Sequence, residues 1–263
     1  MSDYDFDGEQ YEEVSDHQTE WGMDLMKELN LSGREYILDL GCGDGKLTEQ
    51  LANMVTEGMV VGVDSSAGML ETARKRSGDN LHFRQQDVTE LDYEAEFDVI
   101  FSNAALHWVK NHDKLLAGCY RALKKDGKIR FNFAADGNCS HLYSVVKMVM
   151  RKEPFKEEFA DFVWPWYMPA VEEYETLVGK TGFSEVKVWG ENRDRYFDDR
   201  EQMIGWIDQP CLVPFLEVLP EEKKESFRDI VVQEMISRCE QEDGRCFETF
   251  CRVNVLAERG GSG

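Results

Sequence analysis

The feature that most constrains the fold is an apolar segment that leads directly into three glycines at alternate positions. Residues 36–40 are apolar apart from Asp39, and Gly41, Gly43 and Gly45 follow before a helix-like sequence begins. Because glycine has no Cβ, the backbone can turn sharply at these positions and approach a ligand closely. A strand, a glycine-rich turn and a helix in this order predict a nucleoside site at the carboxyl end of a parallel strand.

A second apolar segment, residues 60–63, ends in Asp64, where an acid can hydrogen-bond the hydroxyls of a ribose. The glycine spacing is G-x-G-x-G, whereas dinucleotide sites carry G-x-G-x-x-G. Asp44 stands where phosphates would lie, and Asp39 adds another acid on the same side. Acids disfavour a phosphate but suit a sulfonium and an α-amino group. The pattern therefore favours a cationic nucleoside over NAD, with a chance glycine-rich turn as the alternative interpretation.

Composition excludes some partners. The net charge is −22, and no basic stripe is visible, so a nucleic acid or an anionic membrane surface is not expected as a partner. The seven cysteines form no C-x-x-C pair, and the expectation is reduced thiols in a cytoplasmic protein with no metal site. No window approaches the ~20 apolar residues of a membrane helix. We expect a monomer or a homodimer.

Short apolar segments alternate with amphipathic ones over most of the chain, which predicts an α/β fold. Strands are predicted at residues 36–40, 60–63, 81–85, 97–102, 128–134, 185–191 and 247–257. Helices are predicted at residues 45–54, 66–76, 111–124, 138–151 and 171–181, with interrupted helix over 197–243. The expected architecture is a doubly wound, mostly parallel, seven-stranded sheet of Rossmann-like type, with helices on both faces and an antiparallel edge strand.

Domain boundaries follow from the same pattern. We expect a lead-in of lid helices, a cofactor-binding core, the remainder of the same domain and a flexible tail, at residues 1–35, 36–135, 136–259 and 260–263. Inserts near 152–181 and 193–245 are expected to form a helical lobe that covers the substrate. The first insert contains a crowded aromatic stretch at 155–167, which fits either a lid or simple packing of that lobe.

Further candidate residues lie where the predicted strands end, because strand ends in open α/β sheets face the ligand. For cofactor contact these are Ser65, Asp87, Val88 and Asn103. Asp87 can accept from an exocyclic amine, although an ordinary strand-end aspartate would look the same. His107 and Trp108 follow the fourth strand; a packing role is the alternative for each.

These motifs resemble those of the class I small-molecule methyltransferases. The resemblance is carried by D-x-G-x-G-x-G at 39–45, GVDSS at 62–66, Asp87 and SNAALHWV at 102–109. The segments MIGWIDQPCLVPFLEVLPEEKKESF at 203–227 and FCRVNVLAER at 250–259 are similar to the trans-aconitate methyltransferase group. The resemblance covers about residues 11–259. It implies S-adenosylmethionine as the cofactor.

The N-terminal segment is also similar to insect juvenile hormone acid methyltransferases. Tyr11 and Gln18 stand seven residues apart before the core, and Trp108 matches an aromatic position of those enzymes. The resemblance implies that Gln18 and Trp108 contact a substrate carboxylate. The aromatic stretch at 155–167 departs from the trans-aconitate pattern and suits a more apolar acid.

Carboxylate methylation requires donors rather than a base, because a carboxylic acid with a pKa of ~4 is already ionised at neutral pH. The candidate catalytic residues are Gln18, His107 and Trp108. The candidate substrate residues are Tyr11, Gln18, Trp108, Trp166, Arg193, Tyr196 and Arg252. If the acceptor were instead a carbon, a nitrogen or a phenol, His107 would be the base. A nucleotide-linked dehydrogenase and a non-catalytic binding protein are the remaining alternatives.

Overall fold

The computed structural model describes residues 16–260, without the side chains of 16–20, 209 and 210. The helices span Asp16–Lys27 (α1), Lys46–Met54 (α2), Ala67–Arg74 (α3), His112–Ala122 (α4), Ser140–Met150 (α5), Val171–Gly179 (α6), Arg200–Trp206 (α7), Val213–Leu216 (α8) and Glu221–Cys239 (α9). The strands span Tyr36–Leu40 (β1), Met59–Asp64 (β2), Leu81–Gln85 (β3), Phe97–Asn103 (β4), Leu123–Ala134 (β5), Ser184–Asn192 (β6), Arg195–Phe197 (β7), Cys246–Glu248 (β8) and Cys251–Glu258 (β9).

The main sheet has seven strands in the order β3-β2-β1-β4-β5-β9-β6. Strands β1 to β5 pair in parallel, and β9 runs antiparallel to β5 beside the edge strand β6. The chain order reverses between β1 and β4, and ligands bind at such a switch point in open α/β sheets. The predicted Rossmann-like, mostly parallel seven-stranded sheet with an antiparallel strand is confirmed.

Helix α1 closes one face of the sheet near β1 and β4. Leu25 and Met26 of this helix, and Leu29 just after it, are almost fully buried in a core shared with β1, β2, β4 and α2. Burial of three large side chains contributes about 1.5–3 kcal/mol each relative to exposure, so the end of α1 is firmly attached. This helix matters for the site because Gly22, in its middle, lies beside Asn103 at the end of β4.

The chain divides into two compact units. Of the described residues, the first unit contains 16–136, 166–191 and 252–260, and the second contains 137–165 and 192–251. Within the second unit, Phe155 and Phe159 are buried and stack on Phe227 of α9. These two aromatic residues therefore contribute to the hydrophobic core of the second unit. The domain organisation predicted from the sequence remains a prediction.

Two predicted strands were wrong in extent. The predicted closing strand at 247–257 is divided: β8 pairs with β7 in a small separate sheet, whereas β9 joins the main sheet. The interrupted helix predicted from residue 197 begins at Arg200, because Phe197 is still the last residue of β7. Strand β5 begins at Leu123 rather than at 128, because Leu123 pairs with Phe97 ahead of a register shift. Short strands beside turns of glycine and charged residues show little hydrophobic periodicity, so the sequence does not indicate where they begin and end.

Over residues 16–260, no helix combines the length and apolar character that crossing a membrane requires. All seven cysteines are free thiols.

Candidate active site

The glycine turn, residues 41–45, lies between β1 and α2. Gly41, Gly43 and Gly45 all have positive φ, at 69°, 55° and 80°. A Cβ on Gly45 would lie 2.7 Å from the Phe83 ring and 3.0 Å from Cβ of Ala73, whereas one on Gly43 would meet nothing within 4 Å. Gly45 is therefore required by packing as well as by backbone conformation. Gly43 faces open space, as a backbone that approaches a ligand must.

We predict different costs for alanine at these two glycines. Gly45→Ala is expected to reduce the free energy of unfolding by roughly 2 kcal/mol or more, because it adds a collision to left-handed strain. Gly43→Ala, the matched control, is expected to cost about 1 kcal/mol from strain alone. Urea denaturation of the two variants measures both values. Equal losses would show that the contact with Phe83 is unimportant.

Asp64 at the end of β2 is bonded to the glycine turn. Its Oδ2 accepts from the Gly43 N–H at 3.0 Å, and its Oδ1 accepts from the Ser66 N–H at 2.9 Å. The side chain is only 8% exposed, and burial raises its pKa above the ordinary value. The carboxylate is thus held at the mouth of the turn by two backbone donors. Its remaining lone pairs are oriented for a hydroxyl donor such as a ribose.

Asp39 lies one step deeper in β1. It is 3% exposed and accepts from the Thr48 hydroxyl at 2.8 Å. Burial raises its pKa to about 7, the Thr48 hydrogen bond opposes that rise, and the charge of Asp64 adds to it. Asp44 is also buried, at 8% exposure. These acids repel one another and favour a cationic ligand, which fits a sulfonium cofactor with an ammonium group.

The other predicted cofactor residues lie on neighbouring strand ends. Asp87 caps a short 3₁₀ turn, accepting from the Thr89 N–H at 2.7 Å and the Thr89 hydroxyl at 2.8 Å, and Val88 is fully buried behind it. The Ser65 carbonyl accepts from Gln85 at 2.9 Å. Asn103 ends β4, and a Cβ on Gly22 of α1 would lie 3.1 Å from its Nδ2. All of these belong to the first unit.

The acceptor loop, residues 104–109, begins where β4 ends. Ala104 has a φ of 56°, and its N–H donates to the Asn132 carbonyl at 2.8 Å. Trp108 lies in a 3₁₀ turn with its ring 5.2 Å from the Trp166 ring and 5.7 Å from the His107 ring, centre to centre. The Lys110 ammonium donates to the Trp166 carbonyl at 3.0 Å. The loop therefore presents an imidazole and one indole, and Trp166 supplies the second indole of the pair.

Arg252 contributes a buried positive charge. It is 4% exposed, its Nε donates to Asn132 Oδ1 at 2.8 Å, and its guanidinium lies 5.2 Å from the centre of the Trp21 ring. The pKa of His107 is lowered to about 3, first by burial and then by the charge of Arg252. Within the described part of the chain, His107 Nδ1 is buried and has no hydrogen-bond partner. A cation and a neutral imidazole thus share one site.

Some predicted residues are not brought into this group. Tyr196 lies on β7 in the second unit, 48% exposed, and stacks on Phe247 and Arg245. Arg193 is also in the second unit, where its backbone N–H donates to the Phe250 carbonyl. Tyr11 and the side chain of Gln18 lie outside the described residues. The roles assigned to all four remain predictions.

Sequence reasoning missed residues that the structure places here. Neither Trp21 nor Asn132 was among the site residues predicted from the sequence. The sequence did offer a signal for Asn132, which lies between two phenylalanines in β5. A polar side chain in an apolar strand indicates a buried hydrogen bond, because buried amides need hydrogen-bond partners.

A His–Cys–Glu cluster lies in the second unit, where no metal had been expected. Ligand atoms of His141, Cys239 and Glu248 lie within 4.8 Å of one another. However, Glu248 accepts from His141 Nδ1 at 2.9 Å and from the Leu142 N–H at 2.9 Å. Both carboxylate oxygens of Glu248 are therefore engaged at the N-terminus of α5, where this residue caps the helix.

Comparisons with known proteins agree with this geometry. A family model for a methyltransferase domain matches residues 37–127. The uncharacterized methyltransferase C70.08c of Schizosaccharomyces pombe is 30% identical over 244 residues, which cover 90% of this chain and 91% of that protein. Trans-aconitate 2-methyltransferase of Deinococcus radiodurans is 28% identical, covering 95% of this chain and 97% of that protein.

Solved structures show the same fold. Loganic acid methyltransferase with SAH has a TM-score of 0.69 at 11% identity, covering 96% of this chain and 94% of that chain. The YcgJ protein from Bacillus subtilis has a TM-score of 0.63 at 16% identity, covering 92% of this chain and all of that chain. Sheet order, glycine turn and strand-end acids define a nucleoside-binding α/β enzyme. The chain belongs to the class I S-adenosylmethionine-dependent methyltransferases, and S-adenosylmethionine is its cofactor.

Proposed function

We propose that this enzyme transfers a methyl group to a carboxylate oxygen of a small-molecule acid. The observation that carries the proposal is the buried guanidinium of Arg252 beside His107. Burying a positive charge is costly unless an anion or several acceptors compensate it. Asn132 supplies two neutral oxygens to Arg252, and a carboxylate acceptor would be an anionic partner for the same guanidinium.

The relatives support the same acceptor class. Trans-aconitate 2-methyltransferases of several bacteria are among the relatives, and that of Mycobacterium tuberculosis matches 98% of this chain at 28% identity. Their name specifies an acid as the acceptor. The same buried cation would repel a protonated amine, so the site discriminates by charge.

The residues of the site bind and orient the acceptor. Arg252 would hold one carboxylate oxygen, and the Trp108 indole N–H is a further donor. The paired rings of Trp108 and Trp166 exclude water from the reacting oxygen. Holding two reactants in line can supply about 7–11 kcal/mol of the barrier. When bound, S-adenosylmethionine supplies a methyl carbon that bonds to the oxygen as its bond to sulfur breaks, with that electron pair remaining on sulfur.

No proton moves in this reaction, so a base is unnecessary. His107, with a pKa of about 3, is neutral at pH 7 and is a weak proton acceptor, because an effective base has a pKa near the working pH. Its role in carboxylate methylation is to offer a neutral donor or acceptor. A neighbouring carboxylate would also raise the pKa of His107 and favour a hydrogen bond between them.

The assay is formation of S-adenosylhomocysteine with pooled acids, tricarboxylates in one pool and fatty or terpenoid acids in another. Methyl esters in either pool, identified by their lability to alkaline hydroxylamine, would support the proposal. His107→Ala is expected to weaken turnover of an acid about tenfold. Cofactor binding without ester in any pool would refute carboxylate methylation.

A second candidate function follows from the unpartnered Nδ1 of His107. It is methylation of a carbon, nitrogen or phenol acceptor, with His107 taking the proton. In that case His107→Ala would abolish turnover rather than weaken it.

We also propose a cytoplasmic enzyme that acts on free metabolites rather than on nucleic acid or membranes. The charge of −22 and the seven free thiols support this. The expectation of a monomer or homodimer is tested by light scattering.

A further inference from the structure

We propose that Asn132 is a positioning residue for Arg252, and that Asn254 and Glu191 fix the orientation of its amide. These three residues are called the amide relay. The inference rests on the proposed function, because it explains how the cation for the acid is aimed. Asn132 and Asn254 face each other across β5 and β9 in register.

The contacts form one continuous chain. Arg252 Nε donates to Asn132 Oδ1 at 2.8 Å, and Asn132 Nδ2 donates to Asn254 Oδ1 at 2.9 Å. Asn254 Nδ2 then donates to Glu191 Oε2 at 3.2 Å. Asn132 and Asn254 are 2% and 1% exposed, so water cannot replace these bonds.

The direction of this chain is determined at both ends. A guanidinium can only donate hydrogen bonds, and a carboxylate can only accept them. Arg252 therefore requires the oxygen of the Asn132 amide, and Glu191 requires the nitrogen of the Asn254 amide. Both requirements fix the same orientation of the two amides, and rotation of either amide by 180° would bring two donors or two acceptors together.

Asn132 also connects Arg252 to the acceptor loop. Its carbonyl accepts from the Ala104 N–H at 2.8 Å and from Arg252 Nη2 at 3.3 Å. Ala104 is the first residue of the loop that carries His107 and Trp108. One residue thus sets the position of the guanidinium relative to the rings that line the acceptor.

The chemistry of the amide explains why an asparagine suits this place. An aspartate at 132 would bond Arg252 more strongly but would neutralise it, leaving less positive charge for an acid. The neutral amide holds the guanidinium and preserves its charge. The carboxylate of Glu191 orients this chain of hydrogen bonds through the two amides.

The test compares three near-isosteric variants. Asn132→Leu removes the hydrogen bond between the Asn132 amide and Arg252. Asn254→Leu keeps Asn132 but removes the hydrogen bond that orients its amide. The second variant tests the proposal if the first does not fold. Asn80→Leu is the matched control, because Asn80 donates to the Ala52 and Val55 carbonyls away from the relay. The readouts are KM for the acid methylated by the wild type, cofactor affinity, and hydrogen exchange of the Arg252 Nε–H by NMR, assigned with Arg252→Lys.

We expect KM to rise about tenfold in both relay variants, with cofactor affinity unchanged and faster exchange of the Nε–H. Asn80→Leu is expected to lower stability without moving KM or exchange. Unchanged exchange in the relay variants overturns the proposal, as does faster exchange with an unchanged KM. If the wild type methylates no acid, the proposed function fails, and the exchange measurement still decides whether Asn132 holds Arg252.

Discussion

Arg252→Met is expected to lower kcat/KM for an acidic acceptor about a hundredfold, while S-adenosylhomocysteine binding stays unchanged. Losing one partner of a buried charge pair costs about 2–5 kcal/mol, and a hundredfold corresponds to about 2.7 kcal/mol. Steady-state kinetics and calorimetry measure the two quantities. Arg252→Lys keeps the charge but lacks the planar donor that Asn132 holds, so an intermediate loss of about tenfold is expected.

Arg130 provides the matched control for this prediction. It is also on the main sheet, 2% exposed, and its guanidinium is paired with Glu28 at 3.0 Å. Arg130→Met is expected to reduce stability without changing KM for the acid, because its charge is already compensated. Equal losses of acid turnover in Arg252→Met and Arg130→Met would mean that Arg252 acts only through the stability of the sheet.

Asp39→Asn is expected to stabilise the cofactor-free protein at pH 8 and to weaken S-adenosylmethionine binding. The pKa of Asp39 is raised from its ordinary 3.8 to about 7, because the folded protein disfavours the buried charge. Between these values the unfolded chain is ionised and the folded one is not, so the contribution of Asp39 to stability falls as pH rises. Above pH 7 the full cost, roughly 4 kcal/mol, is present.

Asp39→Asn has no buried carboxylate to ionise and therefore lacks this cost in stability. The stability difference between Asp39→Asn and wild type should therefore grow by about 2–3 kcal/mol from pH 5 to pH 8, as measured by urea denaturation. Cofactor affinity of the wild type should rise over the same pH window and that of the variant should not. A stability difference independent of pH would show that Asp39 is ionised in the folded protein throughout.

Much of the cofactor side could be predicted because it is local in sequence. The glycine turn and Asp64 lie at the ends of adjacent parallel strands, so strand, turn and helix patterns predict their proximity. The Gly43 N–H to Asp64 contact is a direct consequence of that topology. Asp39 could be assigned to the same place, whereas its raised pKa depends on burial that periodicity does not show.

The acceptor side was much less predictable. Arg252, Asn132 and Trp21 are far apart in sequence and meet only because β9 inserts beside β5 in one register while α1 covers that face. A register change of one residue would turn Arg252 to the opposite face of the sheet. Arg252 was a candidate because it can donate to a carboxylate, but the amides that hold it were not predicted. Tyr196 shows the converse, since nothing in the sequence around this three-residue strand indicates that it belongs to the second unit.

Two adjacent residues of α1, Trp21 and Gly22, contact different parts of the protein. Trp21 lies against Arg252, and Gly22 lies so close to α2 that a Cβ would be 2.3 Å from a Leu47 methyl group. Position 22 is therefore fixed by packing against α2, whereas the ring at position 21 lies beside the guanidinium. Under the proposed function, we expect substitutions of Trp21 to change which acids are accepted and to leave cofactor affinity unchanged.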